Sequence, residues 1–80
     1  MEIQIIAFGI AKDILGNSQF TLELPSEATV SDLKVKLTEQ FPEFAKLASL
    51  SVAVNTSYAK DDQPLQPEDE VAIIPPVSGG

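Results

Sequence analysis

Apolar and polar positions alternate from the first residues of the chain. Ile3, Ile5 and Ala7 fall on one side of residues 2–8, and Glu2, Gln4, Ile6 and Phe8 on the other. Period two with β-branched and aromatic residues predicts a strand. Its second side turns apolar at Ile6 and Phe8. The segment from Gly9 to Gly16 fits a single helical turn closed by Gly16, and Asn17-Ser18 a loop. Residues 19–24 alternate again: Phe20, Leu22 and Leu24 point inward, while Gln19, Thr21 and Glu23 face water. This predicts a second, half-buried strand pairing back on the first.

Pro25 ends that run and the period changes. Thr29 stands before Val30, with Asp32 three residues on, close to a capping box with Asp in place of Glu or Gln. Val30, Leu33, Leu37 and Phe41 then recur at helical spacing along one stripe, and Asp32, Lys36 and Glu39 lie off it. Pro42 closes the helix, because the residue before a proline is pushed out of the α region. Phe44, Leu47 and Leu50 suggest a short helical turn that plugs one end of the core. Leu50 to Asn55 reads as a strand through Val52 and Val54, Asn55-Thr56-Ser57 as a turn, and Tyr58-Ala59 as a short return strand. A turn at Asp61-Asp62-Gln63-Pro64, an inward Leu65 and an acidic turn at Pro67-Glu68-Asp69-Glu70 lead to a last strand, Val71 to Ile74.

The order β-β-α-β-(β)-β at this length fits an α+β fold. It is a ubiquitin-like β-grasp with a mixed sheet of four to five strands, one crossover helix and a flexible C-terminal Gly-Gly tail. The expected organisation is a β-grasp domain over residues 1–74 and an extended tail over 75–80. The topology inserts the last strand beside the first. Ile6, Phe8 and Ile74 then share the sheet face opposite the helix. A half-covered sheet should be polar there, so this apolar patch reads as a partner-binding surface.

Composition narrows the chemistry. Eighty residues make one small domain, and 44% apolar content argues against disorder. There is no Cys, so disulfides, thiolate metal sites and a thiol nucleophile are excluded. There is no His, which removes the usual neutral-pH general base. Asp61, Asp62, Glu68, Asp69 and Glu70 sit in turns as solvated carboxylates, and an independent enzyme is the least favoured class. The net charge is −7, with five lysines and no arginine. This argues against nucleic acid and anionic membranes as partners; it suits either docking on basic protein surfaces or simply keeping the protein soluble. No signal peptide and no run of about 20 apolar residues is visible, so the expected compartment is the cytoplasm.

The sequence closes on Pro75-Pro76-Val77-Ser78-Gly79-Gly80. Glycine has nothing to pack and is costly to order. A carboxylate on a Gly-Gly tail is unhindered and passes a narrow slot, so the tail reads as a substrate for another protein's active site. Six residues beyond Ile74 can reach about 20 Å when extended. Pro75-Pro76 terminates the strand and biases the tail towards polyproline II, which lowers the entropy lost on insertion.

The segment from Asp69 to Gly80, an acidic turn and apolar strand running into Pro75-Pro76-Val77-Ser78-Gly79-Gly80, resembles the terminal signature of the small, sulfur-carrying subunit of molybdopterin synthase. Ala53-Val54-Asn55 is similar to that family's internal Ala-Val-Asn, and Phe8-Gly9 to its aromatic before a small residue. Two positions depart from the pattern. Glu68 stands in the usual Gly-Asp-Glu turn, and Lys12 is the nearest candidate for a basic residue that is often Arg. The family shares fold and tail with the thiamine-pathway sulfur carrier and with ubiquitin-related modifiers; Pro75-Pro76 favours the molybdopterin branch.

The resemblance implies a reaction. A ubiquitin-activating-type enzyme adenylates the Gly80 carboxylate with ATP and magnesium, and sulfur then replaces AMP to give a thiocarboxylate. Pro75, Pro76, Val77, Ser78 and Gly79 carry it into the large synthase subunit, in a heterotetramer of two small and two large subunits. There sulfur passes to a pterin precursor. The resemblance implies no cofactor or metal on this chain, and catalytic residues on the large subunit. The alternatives are a thiamine-type carrier, a modifier conjugated to lysines through Gly80, and a non-covalent adaptor.

Overall fold

A computed structural model describes residues 1–46 and 50–74. The chain runs through strand β1 (Glu2–Ala7), helix α1 (Gly9–Leu15), strand β2 (Gln19–Glu23), helix α2 (Val30–Gln40), a 3-10 turn (Pro42–Lys46), and strands β3 (Ser51–Val54), β4 (Ser57–Tyr58) and β5 (Glu70–Ile74). The strands form one five-stranded sheet in the order β2-β1-β5-β3-β4. β1 and β5 pair in parallel, and the other neighbours are antiparallel. The architecture is the β-grasp expected from the sequence, with the last strand inserted beside the first. The Gly-Gly tail assigned to residues 75–80, and Leu47, lie outside the described residues.

The inner face follows from the alternation. Ile3, Ile5, Val71 and Ile73 are 0–1% exposed, and α2 covers them with Val30, Leu33 and Leu37, all 0% exposed. No buried residue among those described is polar or charged. Burying side chains of this size stabilises by about 1.5–3 kcal/mol each. Phe20, Phe41 and Phe44 close one end of the core. Phe41 meets both others edge-on, at 5.5 Å and 81° for Phe20 and 6.3 Å and 89° for Phe44. That geometry suits the ring quadrupole.

The start of α2 shows how the loop after β4 holds the crossover. A helix leaves its first N–H groups without intrahelical partners. Val30 N–H donates to the Gln63 carbonyl at 3.0 Å and Ser31 N–H to the Asp61 carbonyl at 2.9 Å. Asp32 N–H donates to Thr29 Oγ1, while the Asp32 carboxylate accepts from Thr29 N–H at 2.9 Å, so the capping box forms with Asp. Lys34 and Asp61 add a surface ion pair at 2.7 Å. An exposed pair of this kind contributes at most about 1 kcal/mol.

Several elements differ in extent from their sequence reading. The expected single turn after β1 is a seven-residue helix, α1. Gly9 at φ 55° turns the chain out of the strand, Ala11 is buried, and Gly16 at φ 80° ends the helix with its N–H on the Lys12 carbonyl at 2.8 Å. The third strand stops at Val54, because Asn55 and Thr56, at φ 51° and 71°, form a two-residue hairpin turn. Positive φ at both turn residues is the mark of a type I′ turn, whose twist matches the flanking strands. The return strand is therefore Ser57–Tyr58, and the last strand begins one residue early, at Glu70.

Candidate functional site

The outer sheet face is ordered in rows that the strand registers define. Ile6 lies beside Ala72, Ala72 beside Ala53, and Ala53 beside Tyr58. One row thus crosses four strands as Ile6, Ala72, Ala53, Tyr58, large at both ends and small in the middle. One step nearer the end of β5, Ile74 lies beside Ser51, and the β1 register carries Phe8 to the level of Ile74. The opposite end of the face is polar: Gln4 lies between Thr21 and Glu70, and Thr21 Oγ1 donates to Gln4 Oε1 at 3.3 Å.

The structure brings the sequence-derived residues together. Ile6, Phe8 and Ile74 occupy one end of the outer face, while the described helices turn their buried residues, Ala11 of α1 and Val30, Leu33 and Leu37 of α2, into the core. Phe8 is 52% exposed, and Ile6 and Ile74 are half-buried. Ile74 is the last described residue, so the patch sits where β5 leads towards Pro75. Pro75, Pro76, Val77, Ser78, Gly79 and Gly80 lie outside the described residues. Lys12 is exposed on α1.

Tyr58 belongs to this surface and sequence reasoning missed it. At 75% exposure it is the most exposed large apolar side chain among the described residues. Ala53 and Ala72 complete the row. The signal was the two-residue turn, which places Tyr58 opposite Ala53, on the outer face, rather than opposite Val54 on the inner one.

A polar latch holds the hairpin that carries Tyr58. Asn55 Nδ2 donates to Asp69 Oδ1 at 2.9 Å, and Asn55 Oδ1 accepts from Glu70 N–H at 3.0 Å. Asn55 N–H donates to the Glu70 carbonyl at 2.8 Å, and Asp69 Oδ2 accepts from Gln66 N–H at 2.8 Å. The acidic turn that lacks the usual glycine is thereby tied to the β3–β4 turn through one carboxylate.

An open cleft of about 270 Å³ between α1 and the 3-10 turn is lined by Ile10, Asp13, Ile14, Glu43 and Lys46. Among the described residues, no group of three or more His, Cys, Asp or Glu side chains could hold a metal ion. No described helix is long and apolar enough to cross a membrane.

Comparison with known proteins agrees with this geometry. The family model described as the ThiS family matches residues 5–80. A molybdopterin synthase sulfur carrier subunit of Arabidopsis thaliana is 37% identical over 81 residues, covering 100% of this chain and 84% of that protein. The Dictyostelium discoideum protein of the same description is 36% identical over 83 residues, covering 99% of this chain and 96% of its own. Among solved structures, a protein described as molybdopterin converting factor, subunit 1, from Pyrococcus furiosus superposes with a TM-score of 0.88 at 26% identity. The match covers 96% of this chain and 99% of that one.

Proposed function

The chain belongs to the ThiS family, among the sulfur carrier subunits of molybdopterin synthase, and from this premise we propose that Gly80 is its one reacting group. The role is that of a sulfur carrier in molybdopterin biosynthesis, the non-catalytic small subunit of a synthase whose catalytic residues lie on the large one. Residues 1–74 act as the docking body and residues 75–80 as the arm.

The chemistry divides into three steps. The Gly80 carboxylate oxygen attacks the α-phosphorus of ATP on an adenylating enzyme of the ubiquitin-activating type, and pyrophosphate leaves. A sulfur nucleophile then displaces AMP from the acyl carbon and leaves a thiocarboxylate. In the large subunit that sulfur attacks a carbon of the pterin precursor and displaces an oxygen substituent, and water then cleaves the acyl–sulfur bond to return the carboxylate. The chain contains no Cys, so no internal thiol competes for the activated acyl group. Two small and two large subunits make the working assembly.

The observation that carries this reading is the apolar patch on the outer face where β5 ends. Ile6, Phe8, Ile74 and Tyr58 offer a partner a hydrophobic anchor beside the point where β5 ends. Body contacts supply affinity, and the tail stays free to leave one enzyme and enter another. Deleting Gly80 tests the reading in an assay reconstituted with the large subunit, the adenylating enzyme and a sulfur source. Precursor conversion should be abolished and the fold unchanged, because the described core is complete without Gly80, running from Ile3 to Ile73. Conversion that survives the deletion would overturn the carrier reading. Covalent adducts on lysines of other proteins would make the chain a modifier.

A further inference from the structure

The edge strand β2 presents an unused hydrogen-bonding edge. β2 stands first in the sheet and its described strand neighbour is β1. Met1 and Leu24 exchange both of their backbone hydrogen bonds, and Ala7 N–H donates to the Ser18 carbonyl. Antiparallel pairs alternate between bonded and non-bonded positions. Ile3 with Leu22 and Ile5 with Phe20 are therefore bonded pairs, and the N–H and C=O groups of Gln19, Thr21 and Glu23 point away from β1. All three residues are exposed, and among the described residues no backbone bond outside the strand ladders reaches these groups. Natural edge strands are usually guarded by Lys, Pro or a bulge. β2 carries none of these within Gln19–Glu23.

We propose that β2 pairs antiparallel with β2 of a second copy of this chain, about a twofold axis at Thr21. That register uses every outward group: Thr21 faces Thr21, and Gln19 faces Glu23 in both directions, giving about six hydrogen bonds. Thr–Thr pairs are favourable across strands, and no like charges stand directly opposite. Glu23 already faces Glu2 within its own sheet, and in the dimer it gains an amide donor from Gln19. A bound peptide would instead need pockets for its alternate side chains. The cleft lined by Ile10, Asp13, Ile14, Glu43 and Lys46 draws no residue from β2.

The axis is perpendicular to the sheet, so the two sheets join into one ten-stranded surface with both outer faces on the same side. Ile6, Phe8, Ile74 and Tyr58 stay uncovered in each copy. The dimer is a bivalent carrier with two docking faces, and two linked contacts raise avidity without new ones. Five residues per side make a small, transient interface. Two chains of net charge −7 repel at low salt, so association strengthens as salt screens that repulsion.

Sedimentation equilibrium of the full chain over a concentration series tests this independently of sulfur chemistry. Gln19→Lys places an ion pair opposite Glu23 twice per dimer and should tighten the Kd about fivefold. Gln19→Glu opposes two carboxylates twice and should weaken it about fivefold. Gln66→Lys and Gln66→Glu, on the loop before β5, carry the same charge changes and should have much smaller effects. Thr21→Pro removes an outward N–H that β1 does not use and should abolish the dimer. Should that variant fail to fold, Thr21→Lys, which sets two lysines face to face on the axis, should weaken the dimer severalfold. A chain that stays monomeric into the millimolar range, or a dimer whose Kd responds equally at positions 19 and 66, would overturn the proposal.

Discussion

The two faces of the sheet are built from the same strands, yet their apolar residues are of different kinds. On the inner face Ile3, Ile5, Val71 and Ile73 meet the stripe of α2 and are lost from water. On the outer face Ile6, Phe8, Ile74 and Tyr58 lie away from the α2 stripe, and among the described residues Phe8 and Tyr58 remain 52% and 75% exposed. Hydrophobicity alone does not separate the two sets. What separates them is whether this chain supplies the covering layer. The inner set is consumed by folding, and the outer set stays open to solvent, which is why we propose it as the docking surface.

The largest effect expected from this contrast is on stability. Ile73→Ala removes a fully buried side chain at the centre of the sheet and should cost about 2–5 kcal/mol, a large share of the roughly 5–15 kcal/mol typical of a small domain. Urea unfolding measures it. The outer face should show the reverse profile. Phe8→Ala should lower affinity for the large subunit by about 2 kcal/mol and alter the urea midpoint little. Tyr58→Ala should behave likewise. Calorimetry that finds binding unchanged in both variants would remove the functional distinction between the faces.

A third substitution tests the latch that holds Tyr58 in place. Asn55→Asp sets a carboxylate against Asp69 where a 2.9 Å hydrogen bond stood, and should destabilise by about 1–3 kcal/mol. Adding Asp69→Asn exchanges donor and acceptor, and should restore most of the stability, since the amide oxygen introduced at that position can still accept from Gln66 N–H. A double variant no better than the single would show that the hydrogen bonds are incidental. The smallest effect has the opposite sign. Thr56 is β-branched and sits at φ 71°, so Thr56→Gly should stabilise the turn by about 0.5–1 kcal/mol. Differential scanning calorimetry measures it.

Much of this contrast was legible in the chain. The α2 stripe, the Thr29–Asp32 cap and the inward alternation of Ile3, Ile5 and Ala7 are local patterns with one physical reading. Placing Ile6, Phe8 and Ile74 on a common face needed only the insertion of β5 beside β1. Tyr58 was not legible, because its side is set by the length of a turn. A three-residue turn would have carried it to the other face, and Asn55-Thr56 lacks the glycine that usually marks the two-residue form. The extent of α1 was hidden for a related reason. Its first residue is a glycine in a left-handed conformation, which sequence pattern reads as a break. The Asn55–Asp69 latch joins residues 14 apart and depends on the tertiary meeting of two turns.

The central claim is that this chain carries sulfur on Gly80, and mass measurement tests it most directly. The full chain is incubated with its adenylating enzyme, ATP, magnesium and a sulfur source, and its intact mass is read. Exchange of one carboxylate oxygen for sulfur should add about 16 Da, located by fragmentation at the terminal residue. The gain should vanish when ATP is left out or Gly80 is deleted. An unchanged mass in the complete mixture, or sulfur located elsewhere in the chain, would contradict the account.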